Sequence, residues 1–209
     1  MEQLALIATV AIIHLLALIS PGPDFFVTVK NSLSYSRRTG IFTAIGVGLG
    51  IGVHLLYCIA GLAILISKSI IAFNMLKYIG AGYLIYLGVK SIMARAEGVE
   101  IKRKEKKKDI ARFSASREGF LTNVLNPKAT VYFLSLFTLV LSPEMPSVTL
   151  AILSAIMIAM TALWFCLVAV FFTQKKVVSV YSRSQSLFNK AFGGILIALG
   201  IKMVLVRDK

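Results

Sequence analysis

The hydrophobic residues of this chain fall into long runs, not into the alternating or one-sided patterns of soluble domains. A helix needs about 20 apolar residues to cross the hydrocarbon core of a bilayer, and six runs approach or exceed that length. The pattern therefore predicts an all-α integral membrane protein with six transmembrane helices. The runs cover residues 3–29, 39–66, 71–92, 117–141, 147–173 and 187–206.

Two of these runs are interrupted by residues that break helices. The first run contains Pro21-Gly22-Pro23-Asp24, and the fourth contains Asn126-Pro127-Lys128. Proline has no backbone N–H and clashes with the carbonyl four residues earlier. At membrane depth, the freed backbone groups are tolerated only inside protein or beside a water-filled cavity. We therefore predict broken first and fourth helices whose breaks face the interior.

The two halves of the chain resemble each other. The stretch "LIYLGVK" at 84–90 returns as "LIALGIK" at 196–202, and a similar offset places Pro21 opposite Pro127. Each half holds three runs, an odd number, so the second half must enter the membrane from the opposite side. An inverted 3+3 repeat with a broken helix in each half is typical of secondary transporters. The predicted units are a first repeat at 1–93, a basic linker at 94–116 and a second repeat at 117–209.

Composition and charge agree with this topology. Hydrophobic residues make up 57% of the chain, above the 45–50% usual for soluble domains. The net charge of +14 lies mainly in the loops after the first, third and fifth runs, so it indicates cytoplasmic loops and contact with membrane lipids, and no nucleic acid partner. Lys77 and Lys190 stand near the ends of their runs, where long side chains can reach the interface.

The breaks bring two opposite charges into the spans. A charged side chain at the bilayer centre costs about 2.5–3.5 kcal/mol on insertion scales, so Asp24 and Lys128 are expected to face the bundle interior. Three interpretations remain open. Asp24 is an ordinary helix cap at a kink, the two charges pair with each other, or they bind the ammonium and carboxylate groups of a zwitterionic substrate.

Other polar residues near the breaks have a structural and a functional interpretation. His54 is ionisable inside a span and is a candidate for proton coupling together with Asp24, although a structural hydrogen bond explains it equally well. Asn123 and Asn126 either contact a ligand or satisfy carbonyls that the break frees. The glycine-rich stretch at 46–54 predicts close helix packing, and it makes a homodimer an expectation.

Two rival functions depend on the few reactive residues. Cys58 and Cys166 lie at matching positions of the two halves, which leaves a transmembrane thiol–disulfide electron carrier as an alternative. A metal-ion exporter is another, although a single deep carboxylate is a poor cage for a divalent cation. The chain has no phosphate-binding loop and no metal-ligand spacing, so we expect no enzyme activity, no cofactor and no resident metal.

Two motifs resemble those of a known family. Two stretches are similar to motifs of the LysE/RhtB family of bacterial inner-membrane amino-acid exporters, "ISPGPDFFV" at 19–27 and "GFLTNVLNPKATVYF" at 119–133. Their residues most resemble those of the threonine and homoserine efflux branch of that family. The resemblance implies a multi-pass inner-membrane transporter that exports small neutral amino acids from the cytoplasm in exchange for protons.

The same motifs supply the candidate site residues. We expect Asp24 and His54 to take part in proton coupling. The expected substrate-binding residues are Pro21, Gly22, Pro23, Asp24, Asn123, Asn126, Pro127 and Lys128.

Overall fold

The computed structural model describes residues 2–94, 107–141 and 145–205. These residues form eight α-helices and contain no strand, as predicted for an all-α protein. The helices are α1 (Glu2–Ile19), α2 (Pro23–Ser34), α3 (Arg37–Lys68), α4 (Ile70–Met93), α5 (Arg112–Val124), α6 (Pro127–Val140), α7 (Ser147–Phe171) and α8 (Lys175–Leu205).

Both predicted helix breaks are present. The axes of α1 and α2 meet at 55° across the first break, and the second break separates α5 from α6. Pro23 and Pro127 each stand at the start of the helix that follows. A helix leaves its first N–H groups unbonded in any case, so a proline costs nothing at that position. Each proline therefore ends one helix and begins the next.

By length and composition, fewer helices can cross a membrane than the six runs predict. Among the described residues, three helices qualify over Arg37–Leu62, Ser147–Phe171 and Lys176–Leu205, and the bent pair α1–α2 makes a fourth. Helix α6 has 14 residues, and at 1.5 Å per residue it is shorter than a hydrocarbon core of about 30 Å. The second break thus divides the fourth run into pieces that do not span alone. The sixth run predicts a helix that starts near residue 187, whereas helix α8 begins at Lys175.

The pieces that follow the breaks are enclosed by the longer helices. Phe133 and Phe137 of α6 are almost fully buried in an apolar cluster with side chains of α1, α3, α4, α7 and α8. Phe25 of α2 belongs to a second cluster, where its ring lies 5.2 Å from that of Tyr181 and 4.9 Å from that of Phe172. This burial holds both breaks inside the protein.

The glycine-rich face of α3 packs within the chain. A Cβ atom at Gly48 would lie 2.9 Å from Cβ of Ala162 in α7, and one at Gly50 would lie 2.6 Å from Oδ1 of Asn123 in α5. Both distances are too short for a real Cβ atom. The predicted close packing is therefore present, and because it is internal it offers no surface for the expected homodimer.

The two lysines near the ends of their runs differ in exposure. Lys77 is buried, with 4% of its surface exposed, so it does not reach the interface as expected, whereas Lys190 is exposed.

Most of the predicted linker, at 95–106, lies outside the described residues, and its last part already belongs to α5. Just before α5, the Lys107 N–H donates to the Ser34 carbonyl at 2.8 Å, so this end of the linker is attached to the end of α2.

Candidate functional site

The two helix breaks meet at one cavity in the centre of the bundle, the central cavity. It encloses about 490 Å³ of atom-free space, including its open mouth. Asp24 and Gly22 line it from the first break, and Asn123, Asn126 and Lys128 from the second. Pro21, Pro23 and Pro127 do not line it, so the prolines shape the backbone around the cavity.

Asp24 is held by the opposite break. Its Oδ2 accepts hydrogen bonds from Nδ2 of Asn123 at 3.1 Å and from Nδ2 of Asn126 at 3.0 Å. Its Oδ1 is buried and has no hydrogen-bond partner in the described part of the chain. The N-cap of α2 is Gly22, and no side chain caps that helix. The interpretation of Asp24 as an ordinary helix cap is therefore wrong.

Lys128 is held by the first break in return. Its ammonium donates to the Ser20 carbonyl at 3.2 Å, to the Ser20 hydroxyl at 3.1 Å and to the Pro21 carbonyl at 3.5 Å. The Tyr181 hydroxyl donates to the Ile19 carbonyl at 2.9 Å. These donors satisfy carbonyls at the end of α1 that no helical N–H reaches. Lys128 therefore closes the broken end of α1.

The two central charges do not form an ion pair. Within the described ranges, the salt bridge with nitrogen and oxygen within 4.0 Å joins Lys30 to Glu118, away from the cavity. Asp24 and Lys128 instead each bind neutral groups of the opposite break, so the two breaks brace each other. Of the three interpretations, the direct ion pair is absent, and the one that leaves both charges for a substrate remains.

The two helices that begin at the breaks differ at their N-termini. The Asn126 side chain accepts from the Lys128 N–H at 3.0 Å and so caps α6. Asn126 thus satisfies an N–H group at the second break, whereas Lys128 satisfies carbonyl oxygens at the first break. Helix α2 has no side-chain cap, so N–H groups of its first turn and their positive partial charge lie beside the cavity.

His54 reaches Asp24 only through Asn123. Its Nε2 lies 3.0 Å from the Asn123 carbonyl oxygen and its Nδ1 lies 2.7 Å from the Tyr57 hydroxyl. A carbonyl oxygen only accepts, so Nε2 carries a proton and donates it in this hydrogen bond. In the neutral ring, Nδ1 then accepts from Tyr57. The two candidate proton-coupling residues are connected by Asn123 and do not touch.

Comparison with known proteins places this site in a family. A family model described as "LysE type translocator" matches residues 15–207, which include both breaks. The chain belongs to this family. No solved structure matches it.

Two relatives of this LysE type translocator match nearly its full length. The "Uncharacterized membrane protein YrhP" of Bacillus subtilis is 31% identical over 210 residues, which cover 95% of this chain and 97% of the relative. The "Threonine efflux protein" of Escherichia coli K12 is 28% identical over 206 residues, which cover 98% and 100%. The protein is therefore a translocator and not an enzyme, and it is a multi-pass protein of the bacterial inner membrane.

The structure adds to the cavity lining of the translocator residues that were not among the predicted site residues. His14 lines the central cavity, with Nε2 at 2.9 Å from the Thr161 hydroxyl and Nδ1 at 3.4 Å from the Tyr132 hydroxyl. Ser20 and Phe192 also line it. Ser20 belongs to the first motif, at 19–27, so the motif was an available signal for it, whereas His14 precedes the motif in the same run. Phe192 stands in an ordinary apolar run and gave none.

The rival chemistries find no site in the described part of the translocator. Cys58 and Cys166 are free thiols, and neither lines the central cavity. No group of three or more His, Cys, Asp or Glu side chains is placed to hold a metal ion there.

Gly50 provides a test of the site that leaves its polar residues unchanged. Gly50→Ala places a methyl group against the Asn123 side chain, which must then move away from Asp24. We expect transport by Gly50→Ala to fall on the order of tenfold, because the displaced Asn123 side chain no longer holds Asp24 in its binding geometry. Gly61→Ala is the matched control, since its methyl group would meet no atom within 4 Å. Equal transport by the two variants would show that the position of Asn123 is unimportant.

Proposed function

We propose that this translocator exports small neutral amino acids, such as threonine or homoserine, from the cytoplasm by proton antiport. The observation that carries the proposal is the central cavity, where acceptor oxygens without partners lie beside a lysine and an uncapped helix N-terminus. The relative named a threonine efflux protein supports the substrate class.

The proposed ligands for the ammonium group are two buried oxygens. Oδ1 of Asp24 and Oδ1 of Asn123 are both buried without a hydrogen-bond partner, and both residues line the central cavity. A buried acceptor that lacks a donor costs about 1–3 kcal/mol. An ammonium group supplies N–H donors for both oxygens, so its binding removes this cost.

The proposed ligands for the carboxylate lie at the broken ends of the helices. Lys128 carries a positive charge, and the first turn of α2 offers uncapped N–H groups, an arrangement that suits an anion. Among the residues that the structure describes, no further side chain of fixed charge lines the cavity. A neutral amino acid therefore matches its charges better than a basic or acidic one.

Proton coupling follows from the single free oxygen of Asp24. A proton on Oδ1 and a substrate ammonium would occupy the same place, so the carboxylate binds one or the other. Export then alternates substrate release with protonation of Asp24 from the outside. His54 is the second proposed coupling residue, and it acts through the Asn123 carbonyl that it contacts.

Alternating access is proposed to use an inverted repeat of α1–α4 and α5–α8, with the segment between α4 and α5 as the linker. The contacts between α4 and α8 support it. A Cβ at Gly88 would lie 2.6 Å from the Gly193 carbonyl, and one at Gly200 would lie 2.8 Å from the Ala81 carbonyl. The repeat offset relates Gly88 to Gly200 and Ala81 to Gly193. A two-fold axis that exchanges the two halves therefore converts one of these contacts into the other. In repeats of this kind, one half rocks against the other around a fixed site.

Amino-acid counterflow in proteoliposomes tests the proposal. Purified protein should exchange threonine, homoserine and serine faster than lysine or arginine, and an imposed pH gradient should drive net flux. Absence of counterflow with every amino acid would refute amino-acid export, and indifference to the pH gradient would refute proton antiport. The double variant Cys58→Ala/Cys166→Ala should retain exchange, whereas its loss would favour the thiol–disulfide carrier.

A further inference from the structure

A second cavity, the vestibule, adjoins the central cavity. It holds about 1090 Å³ of atom-free space, including its open mouth. Its lining includes Lys90 and Ala94, at the end of α4 from which the linker departs. It shares Ser20, Lys128 and Phe192 with the central cavity. The vestibule therefore connects the linker side of the protein with the broken end of α1.

The wall of the vestibule contains a buried amide without a partner. Gln185 of α8 lines the vestibule and is only 4% exposed, yet its Oε1 has no hydrogen-bond partner among the described residues. The wall around it is fixed, because the Ser91 hydroxyl of α4 donates to the Asn189 carbonyl of α8 at 2.9 Å. Buried acceptors in proteins almost always have a donor. The free oxygen of Gln185 indicates that a donor comes from a ligand.

The vestibule also contains positive charge. Lys128 lines it at the inner end and Lys90 at the outer end. A ligand that suits an amide oxygen between two lysines has a hydrogen-bond donor and a negative group. A zwitterionic amino acid has this chemistry.

Phe192 separates the vestibule from the central cavity. Its ring is 2% exposed and lines both cavities, and the Lys128 ammonium lies 5.0 Å from the ring centroid. At that distance an ammonium and an aromatic face attract each other. A molecule that passes between the two cavities therefore moves past the ring of Phe192.

We propose that the vestibule is a second amino-acid subsite, in which Gln185 accepts a hydrogen bond from the substrate ammonium before the substrate passes Phe192 into the central cavity. The proposal rests on the proposed function, because it identifies the ligand as the transported amino acid. Lys128 attracts the carboxylate of the substrate in the vestibule and again in the central cavity.

Gln185→Met tests the subsite, because it keeps the length of the side chain and removes the acceptor. We expect the KM for substrate supplied on the linker side to rise about tenfold, with the maximal rate within about twofold of wild type, since one hydrogen bond to a charged group is lost. Gln174→Met, at an exposed glutamine, is the matched control. An unchanged KM would overturn the proposal, as would a fall in maximal rate and thermal stability with no change in KM.

Thiol labelling distinguishes the vestibule from the central site. In the Cys58→Ala/Cys166→Ala background, Ala94→Cys places a thiol at the exposed mouth of the vestibule. Threonine should slow the reaction of this thiol with an impermeant maleimide. The protection should persist when Asp24→Asn weakens the central site, and it should be lost when Gln185→Met is present. Protection that disappears with Asp24→Asn would refute a separate subsite. Labelling needs no transport, so failure of the subsite and failure of amino-acid export can be told apart.

Discussion

Asp24→Asn is expected to lower amino-acid exchange on the order of 100-fold while leaving the fold intact. The amide oxygen of an asparagine can still accept hydrogen bonds from Asn123 and Asn126, so the bracing of the two breaks survives. The negative charge that we propose to bind the substrate ammonium is lost. Removing one partner of a buried charge pair costs about 2–5 kcal/mol, and each 1.4 kcal/mol is a factor of ten. Exchange in proteoliposomes and thermal stability in detergent measure the two effects separately.

The control for Asp24→Asn is Asp109→Asn. Asp109 also accepts hydrogen bonds from neighbouring side chains, the hydroxyls of Ser36 and Thr39, but it lies at the linker end, away from the central cavity. This variant should exchange at nearly the wild-type rate. An imposed pH gradient should drive net export by the wild-type protein. The same gradient should have no effect on the residual exchange by Asp24→Asn. Full activity of Asp24→Asn with unchanged pH dependence would remove Asp24 from the mechanism.

Lys128→Met is expected to lower both stability and transport. Without the ammonium, the carbonyls of Ser20 and Pro21 lose their donor, and Ser20 is buried, with 8% of its surface exposed. Each unsatisfied buried carbonyl costs about 1–3 kcal/mol in free energy of unfolding. Thermal unfolding followed by size exclusion in detergent should therefore show a lower midpoint, and counterflow by the folded fraction should be abolished because the carboxylate ligand is missing.

Lys30→Met provides the comparison for this stability effect. Lys30 also forms hydrogen bonds, donating to Glu118 at 3.0 Å, but its side chain is 62% exposed. Exposed ion pairs contribute about 0–1 kcal/mol, so this variant should unfold near the wild-type midpoint. If Lys128→Met were no less stable than Lys30→Met, the proposed closure of the α1 end by Lys128 would be wrong.

The helix breaks were predictable because proline acts locally. Proline lacks the helical N–H and clashes with the preceding turn in every tertiary context, so Pro23 and Pro127 located each break from the chain alone. The interior position of Asp24 and Lys128 was predictable for a similar reason. A charge in an apolar run is costly wherever the run is placed, unless the protein surrounds it.

The number of membrane-crossing helices was less predictable. Apolar run length does not show whether a broken run crosses once or forms two short pieces, and α5 with α6 illustrates the difference. The position of a lysine within a run was also a poor guide. Lys77 lies near a run end and is nevertheless buried, because the neighbouring helices and not the distance to the interface determine its exposure.

The sequence by itself determined the class of protein, the two breaks and the family motifs, because run length, proline and charge act through local physics. The tertiary structure decided which groups meet. It joined Asp24 to Asn126 across 102 residues of chain and Lys128 to Ser20 across 108, and it placed Phe192 and Gln185 beside cavities. Contacts of that separation depend on how whole helices pack, and no local pattern of residues specifies them.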